Sequence, residues 1–160
     1  MQNVAILCVG KLKEKFYADA CAEYQKRLTR FCKLSTVELN ETRLPENPSD
    51  AEIAAALDKE ADAILDRLPR GGTVIALCVE GELLSSEQLS VVLARRATQG
   101  ASHFTFVVGG SFGLSPRVKE RADLRLSMSP MTFPHHLARV MLLEQVYRAY
   151  QIQSGTKYHK

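Results

Sequence analysis

The sequence predicts an α/β protein, with a mostly parallel sheet flanked by helices on both faces. Three observations predict it. The short apolar runs NVAILCVG, TVIALCV and HFTFVV read as strands buried on both sides. Segments of helical spacing rich in alanine, leucine and charge separate them. No internal repeat, low-complexity tract or long linker divides the 160 residues, so one domain over 1–160 accounts for the chain.

Asn3 to Gly10 is the first strand, closed by glycine. In EKFYADACAEYQKRLTRF, the residues Phe16, Ala20, Tyr24, Leu28 and Phe31 recur at helical spacing and predict a first helix with an apolar stripe. Leu34 to Leu39 alternates like a strand with one wet face. Asn40 to Asp50 holds two prolines and two asparagines, the composition of an exposed, mobile loop. Ser49 or Asp50 caps the helix AEIAAALDKEADAILDRL, which Gly71 and Gly72 end. Thr73 to Val79 is the second apolar strand, and EGELLSS after it reads as a polar turn. Ser86 then caps SEQLSVVLARRAT, and Gly100 closes it. His103 to Val108 runs straight into Gly109 and Gly110. Ser115 and Pro116 suit the cap and first turn of a short helix, PRVKERA, and Leu124 to Leu126 is a brief strand. A final helix runs from Pro134 to about Gln153 and is apolar nearly all round, which predicts a subunit interface.

The chain is 46% hydrophobic and 24% charged, ordinary values for a soluble globular protein. From Ser115 onward there are eight lysines and arginines against three acids, whereas the first 114 residues carry thirteen against fifteen. A basic C-terminal third suits a polyanion such as RNA, and equally a solvated face of mixed charge. Cys8, Cys21, Cys32 and Cys78 form no CxxC pair and sit in or beside apolar segments, as thiols of a reducing cytoplasm do. No apolar run reaches the roughly 20 residues needed to span a bilayer, and no leader is evident. The expectation is a cytoplasmic protein.

Ligands of parallel α/β sheets bind at the carboxyl ends of the strands. Two such ends stand out, Leu77 to Gly81 and Val108 to Gly113. The paired glycines permit positive φ and close approach to the backbone, though a tight connection alone would use them too. GGSFG is neither a dinucleotide fingerprint nor a P-loop, and the histidines lack zinc-ligand spacing, so no metal is expected. Between the last strand and Pro134, Ser127 to His136 must run irregularly, leaving backbone groups for a ligand, water or neighbouring loops to satisfy. His135 and Arg139 fall at the ligand end of the final helix. Arg148, four residues after Glu144, has a surface ion pair as its plain account. The tail KYHK reads either as a solvated terminus or as a stacking and phosphate-binding segment.

The motifs VVGGSFGLSP, LSMSPMTFPHHLARVMLLEQVYRAYQI and GTKYHK, in this order and in a chain of this length, resemble the bacterial RNA methyltransferase H family of the SPOUT, or α/β-knot, superfamily. The resemblance covers essentially the whole chain. It implies a C-terminal trefoil knot and a homodimer that uses S-adenosyl-L-methionine to methylate N3 of a pseudouridine. The target lies in the decoding-centre stem-loop, helix 69, of 23S rRNA within the assembled ribosome. The partner is thus RNA, neither DNA nor membrane. Leu77, Gly109 and Met128, Ser129, Pro130, Met131, Thr132 and Phe133 would line the cofactor pocket. His135, Arg148, Tyr158 and His159 match positions linked with substrate binding or catalysis, and a neutral His159 between lysines could accept the proton that leaves the base. A non-catalytic RNA-binding module is the alternative reading; a phosphohydrolase is weaker, lacking a catalytic lysine and metal carboxylates at motif spacing.

Overall fold

The apolar runs take the centre of the sheet. The computed structural model describes all 160 residues. Strands and helices alternate as β1 (Gln2–Val9), α1 (Lys15–Leu28), β2 (Cys32–Leu39), α2 (Asp50–Arg67), β3 (Thr73–Leu83), α3 (Ser86–Thr98), β4 (His103–Val108), α4 (Pro116–Arg121), β5 (Leu124–Ser127) and α5 (His135–Gln153). The strands form one sheet in the order β2-β1-β4-β3-β5, and every neighbouring pair is parallel.

Successive side chains of a strand face opposite sides, so a doubly covered sheet needs apolar residues throughout. Val4, Ile6 and Cys8 of β1 join Phe104 and Phe106 of β4 in a core beneath α1, α3 and α5. Leu7 and Val9 point the other way, with Val74 and Val107, into a smaller core against α2 and α4. The fold class read from the sequence is therefore the one observed. From β5 at the sheet edge the chain crosses to α5, whose Arg139 reaches the carbonyl of Gly10 at the end of β1. That route is compatible with the knot that the resemblance implies.

Helix ends follow local chemistry. Ser49 and Glu52 form a capping box at α2, and Ser115 with Pro116 starts α4. Three details differ from the sequence reading. The cap of α3 is Ser85, boxed with Gln88, and Ser86 is instead the first helical residue. Phe16 lies in the first turn of α1 with 65% of its surface exposed, while Cys21 and Leu28 make the buried face. The stretch EGEL is not a turn but the end of β3. It pairs with β5 after a bulge in which Leu126 faces both Leu77 and Glu82. Gly81 permits this, because a Cβ there would lie 2.7 Å from the carbonyl of Arg125.

Candidate active site

The β3 bulge pushes Cys78 to Glu80 out of the sheet, where they form one wall of a cleft of about 780 Å³ at the carboxyl ends of β3, β4 and β5. Opposite stands the turn after β4. It is closed by the Gly113 N–H donating to the Gly110 carbonyl at 3.1 Å, and Gly113 has φ +81°. Gly109 and Gly110 do not use positive φ; their need is closeness. A Cβ on Gly109 would lie 2.5 Å from the Gly113 carbonyl oxygen, and one on Gly110 would lie 2.6 Å from Glu41. The glycine pair thus folds the chain onto itself and exposes backbone to the cleft.

The irregular loop forms the third wall. Leu77, Gly109 and residues 128–133 except Pro130 line the cleft, so nearly all the expected cofactor residues come together. The loop satisfies part of its own backbone: Ser127 Oγ donates to the Ser129 carbonyl at 3.0 Å, and the Met131 N–H donates to Ser129 Oγ at 3.0 Å. Phe112, about half exposed, and Met131, largely exposed, both line the cleft.

His135 lines the same cleft at the start of α5. Burial pushes its pKa below the ordinary imidazole value, and the neighbouring His136 adds to this, so the ring is neutral at pH 7. His136 Nδ1 meets Glu14 Oε2 at 3.1 Å. One turn on, Arg139 is 3% exposed; it donates to Glu38 Oε2 at 2.7 Å and to the Gly10 carbonyl at 3.1 Å. Burial opposes the charge on Glu38, yet Arg139 and the Leu12 N–H outweigh it and hold its pKa below the usual carboxylate value.

Arg148, Tyr158 and His159 form a second cluster, roughly 20 Å along α5 from His135 at 1.5 Å per residue. Arg148 donates to Glu144 Oε1 at 2.7 Å, the expected ion pair, and its guanidinium lies 4.8 Å from the Tyr158 ring centroid. Tyr158 Oη donates to Glu144 Oε1 at 3.1 Å. His159 Nδ1 lies 3.1 Å from Arg148 Nη1 and its Nε2 lies 2.6 Å from Glu87. Guanidinium only donates, so Nδ1 accepts and Nε2 carries the proton toward Glu87. The tail is therefore packed against α5, not frayed. Beside it a second hollow, of about 460 Å³, shares Leu126 and Met128 with the cleft and is lined by Glu144.

A family model described as predicted SPOUT methyltransferase matches residues 2–159. The chain belongs to the SPOUT methyltransferase family. Within it, the chain is 49% identical over 158 residues to the ribosomal RNA large subunit methyltransferase H of Bifidobacterium animalis subsp. lactis, covering 99% of both chains. It is 48% identical, at the same coverage, to the protein of that name from Streptococcus equi subsp. zooepidemicus. Membership of the RNA methyltransferase H family follows. Among solved structures, a probable methylase family protein from Haemophilus influenzae superposes with a TM-score of 0.56 at 14% identity, over 99% of this chain and 71% of that one. The TrmH/SpoU tRNA modifying enzyme of A. aeolicus does so with a TM-score of 0.52 at 12% identity, over 97% and 78%. Both share the SPOUT fold.

Several residues of this SPOUT site escape sequence reasoning. Glu41 accepts the Ser111 N–H at 2.8 Å across 70 residues of chain, so the loop expected to be mobile is pinned there to the glycine turn. Glu14, Glu38 and Gly10 enter through contacts that span still more of the chain. Only Gly10 carried a local signal, as a glycine closing a buried strand; its φ is +96°.

Proposed function

We propose that this protein is a ribosomal RNA methyltransferase of the large subunit, using S-adenosyl-L-methionine to methylate N3 of a pseudouridine in helix 69 of 23S rRNA, as a cytoplasmic homodimer acting on assembled ribosomes. One observation carries the reading. A cleft walled by Leu77, Gly109 and the 128–133 loop occurs in a chain nearly half identical, end to end, to ribosomal RNA large subunit methyltransferases.

The cleft's residues fit the cofactor. Leu77, Val108, Leu114 and Leu126 offer apolar surface for an adenine ring, while the backbone laid bare at Gly109 offers hydrogen bonds to its edge. The group would supply an electrophilic methyl on sulfur. The chain's own part is to orient the nucleobase, exclude water and remove one proton. His135 stays uncharged there. For His159 to accept a proton, its Nδ1 must first release Arg148.

The separation of the cleft from the tail cluster favours a dimer in which each tail serves the other subunit's cleft. The half-buried Val140 and Met141 on α5, beside the second hollow, suit the interface. Leu143, equally apolar on the same helix, is 1% exposed within one subunit and belongs to its core. Calorimetry with S-adenosyl-L-methionine, followed by mapping of methylated nucleotides in treated ribosomes, tests the reading. Absence of binding heat at millimolar cofactor would return the protein to the class of non-catalytic RNA binders.

A further inference from the structure

Next to the cleft lies a separate cavity of about 630 Å³ that the cofactor reading does not use. The two share a wall made by Ser111, Pro134 and His135. The cavity's lining is almost wholly polar, in contrast to the cleft. At its base is Gly10, where a Cβ would sit 3.6 Å from both His135 Nε2 and Glu41 Oε2 and 4.0 Å from His136 Nε2. Those are ordinary contacts, and it is the positive φ of +96° that keeps the position glycine.

Two buried side-chain nitrogens in the molecule have no hydrogen-bond partner, His136 Nε2 and Arg139 Nε. Both belong to the first turns of α5, and both side chains are anchored beside Gly10, His136 through Glu14 and Arg139 through the Gly10 carbonyl. Native proteins rarely leave such atoms unsatisfied; Arg139 lies in the core, but His136 lines the polar cavity, and its unpaired ring nitrogen there points to an incoming group with hydrogen-bonding atoms. The rim supplies charge. Lys11 and Lys13 are exposed and make no ion pair, whereas the nearby Lys15 pairs with Asp19 at 3.6 Å. The two acids of the cavity are engaged, Glu14 by His136 and Glu41 by the Ser111 N–H. Tyr17 lines the wall, and the exposed Phe16 packs beside it with ring centroids 4.4 Å apart. Free ammonium groups next to aromatic faces and unpaired polar atoms are what a nucleotide of unpaired RNA requires.

We propose that this cavity receives the RNA nucleotide to be modified, with its phosphates on Lys11 and Lys13 and its base directed past Ser111 and His135 toward the cleft. The inference rests on the methyltransferase reading, and adds the residues by which the same subunit that holds the cofactor also seats the target. Asn40, exposed on the cavity's edge, then marks where added bulk would shut it.

The test compares the wild-type protein with Lys11→Ala/Lys13→Ala, with Asn40→Trp, and with Lys15→Ala as a control outside the cavity. Methyl transfer from labelled S-adenosyl-L-methionine to unmodified ribosomes gives KM and kcat; calorimetry gives cofactor affinity; ribosome binding across a salt series gives the electrostatic slope. The double lysine variant should raise KM for ribosomes at least tenfold, leave cofactor affinity unchanged, and flatten the salt slope by about 0.7 per lysine removed. Asn40→Trp should raise KM similarly with the slope intact, and Lys15→Ala should do neither. Unchanged KM and slope in the lysine variant overturn the assignment. So does a lysine effect without an Asn40→Trp effect, which would reduce the lysines to a diffuse surface charge. Wild-type protein that transfers no methyl group to ribosomal RNA overturns the underlying reading instead, and the cavity's role with it.

Discussion

His135 shows how placement decides chemistry at the scale of one residue. It shares the cleft wall with the loop, and burial together with its histidine neighbour favours the neutral ring. Its folded pKa thus lies below the ordinary value of about 6.5. The contribution to stability is fully present above that value and is lost as pH falls through the folded pKa, because the unfolded chain takes up the proton first. The His135 ring resonances in NMR should therefore titrate below pH 6.5, and His135→Gln should reduce the loss of thermal stability between pH 6.5 and 5. A titration midpoint at or above 6.5 would remove the basis for a neutral His135 in the cleft.

At the scale of elements, the decisive feature is the β3 bulge, since it makes the cleft's wall from residues that read as a turn. Gly81→Val places side-chain atoms against the Arg125 and Leu126 backbone, which a strand inside a sheet cannot move aside cheaply. A cost of about 1–3 kcal/mol is expected, read as a lowered Tm, together with weakened cofactor binding in calorimetry; an unchanged cofactor affinity would show that the bulge does not shape the cleft.

The sheet itself was legible because β1, β3 and β4 are buried on both faces and their apolar runs leave no other choice. The polar end of β3 was not, since EGEL pairs only with the edge strand β5 and carries no burial signal. The cap of α3 was ambiguous for a different reason: Ser85 and Ser86 are chemically equivalent, and only the Gln88 side chain reaching back to the Ser85 N–H decides between them. In the site, glycines and the proline-started helix announced themselves through backbone constraints. Glu14, Glu38 and Glu41 could not, because a carboxylate at a helix start, on an edge strand or in a loop looks solvated until a partner arrives from a distant part of the chain.

The last helix belongs to the same scale. Leu142, Leu143 and Val146 fill the subunit's own core, while Met141 stays half-exposed beside the second hollow. Leu143→Asp should prevent folding, since it buries an unpaired charge. Met141→Asp should leave the circular dichroism spectrum intact and halve the sedimenting mass; an unshifted mass would move the interface off this face of α5.

For the whole molecule, the question is why one chain keeps its cleft and its cationic tail roughly 20 Å apart along α5. The tail is not idle chain. Arg148, Tyr158 and His159 are locked to Glu144 and Glu87 through hydrogen bonds and a cation–π contact, an arrangement too specific for a solvated terminus. In the dimer proposed above, built two-fold on α5, one subunit's tail would serve the other's cleft, and that contact would be made twice. Two variants each break one half, His135→Ala in the cleft and Arg148→Ala on α5, where the tail is held. Each alone should transfer methyl groups poorly, provided both bind ribosomes and retain the wild-type circular dichroism. Mixed at equal concentration and allowed to exchange subunits, half the dimers are heterodimers, and each of these holds one site with both halves intact. Activity should then rise to roughly a quarter of the wild-type level. If each site instead lay within a single subunit, every subunit in the mixture would carry a defect, and the rate of the mixture would remain the mean of the two variants.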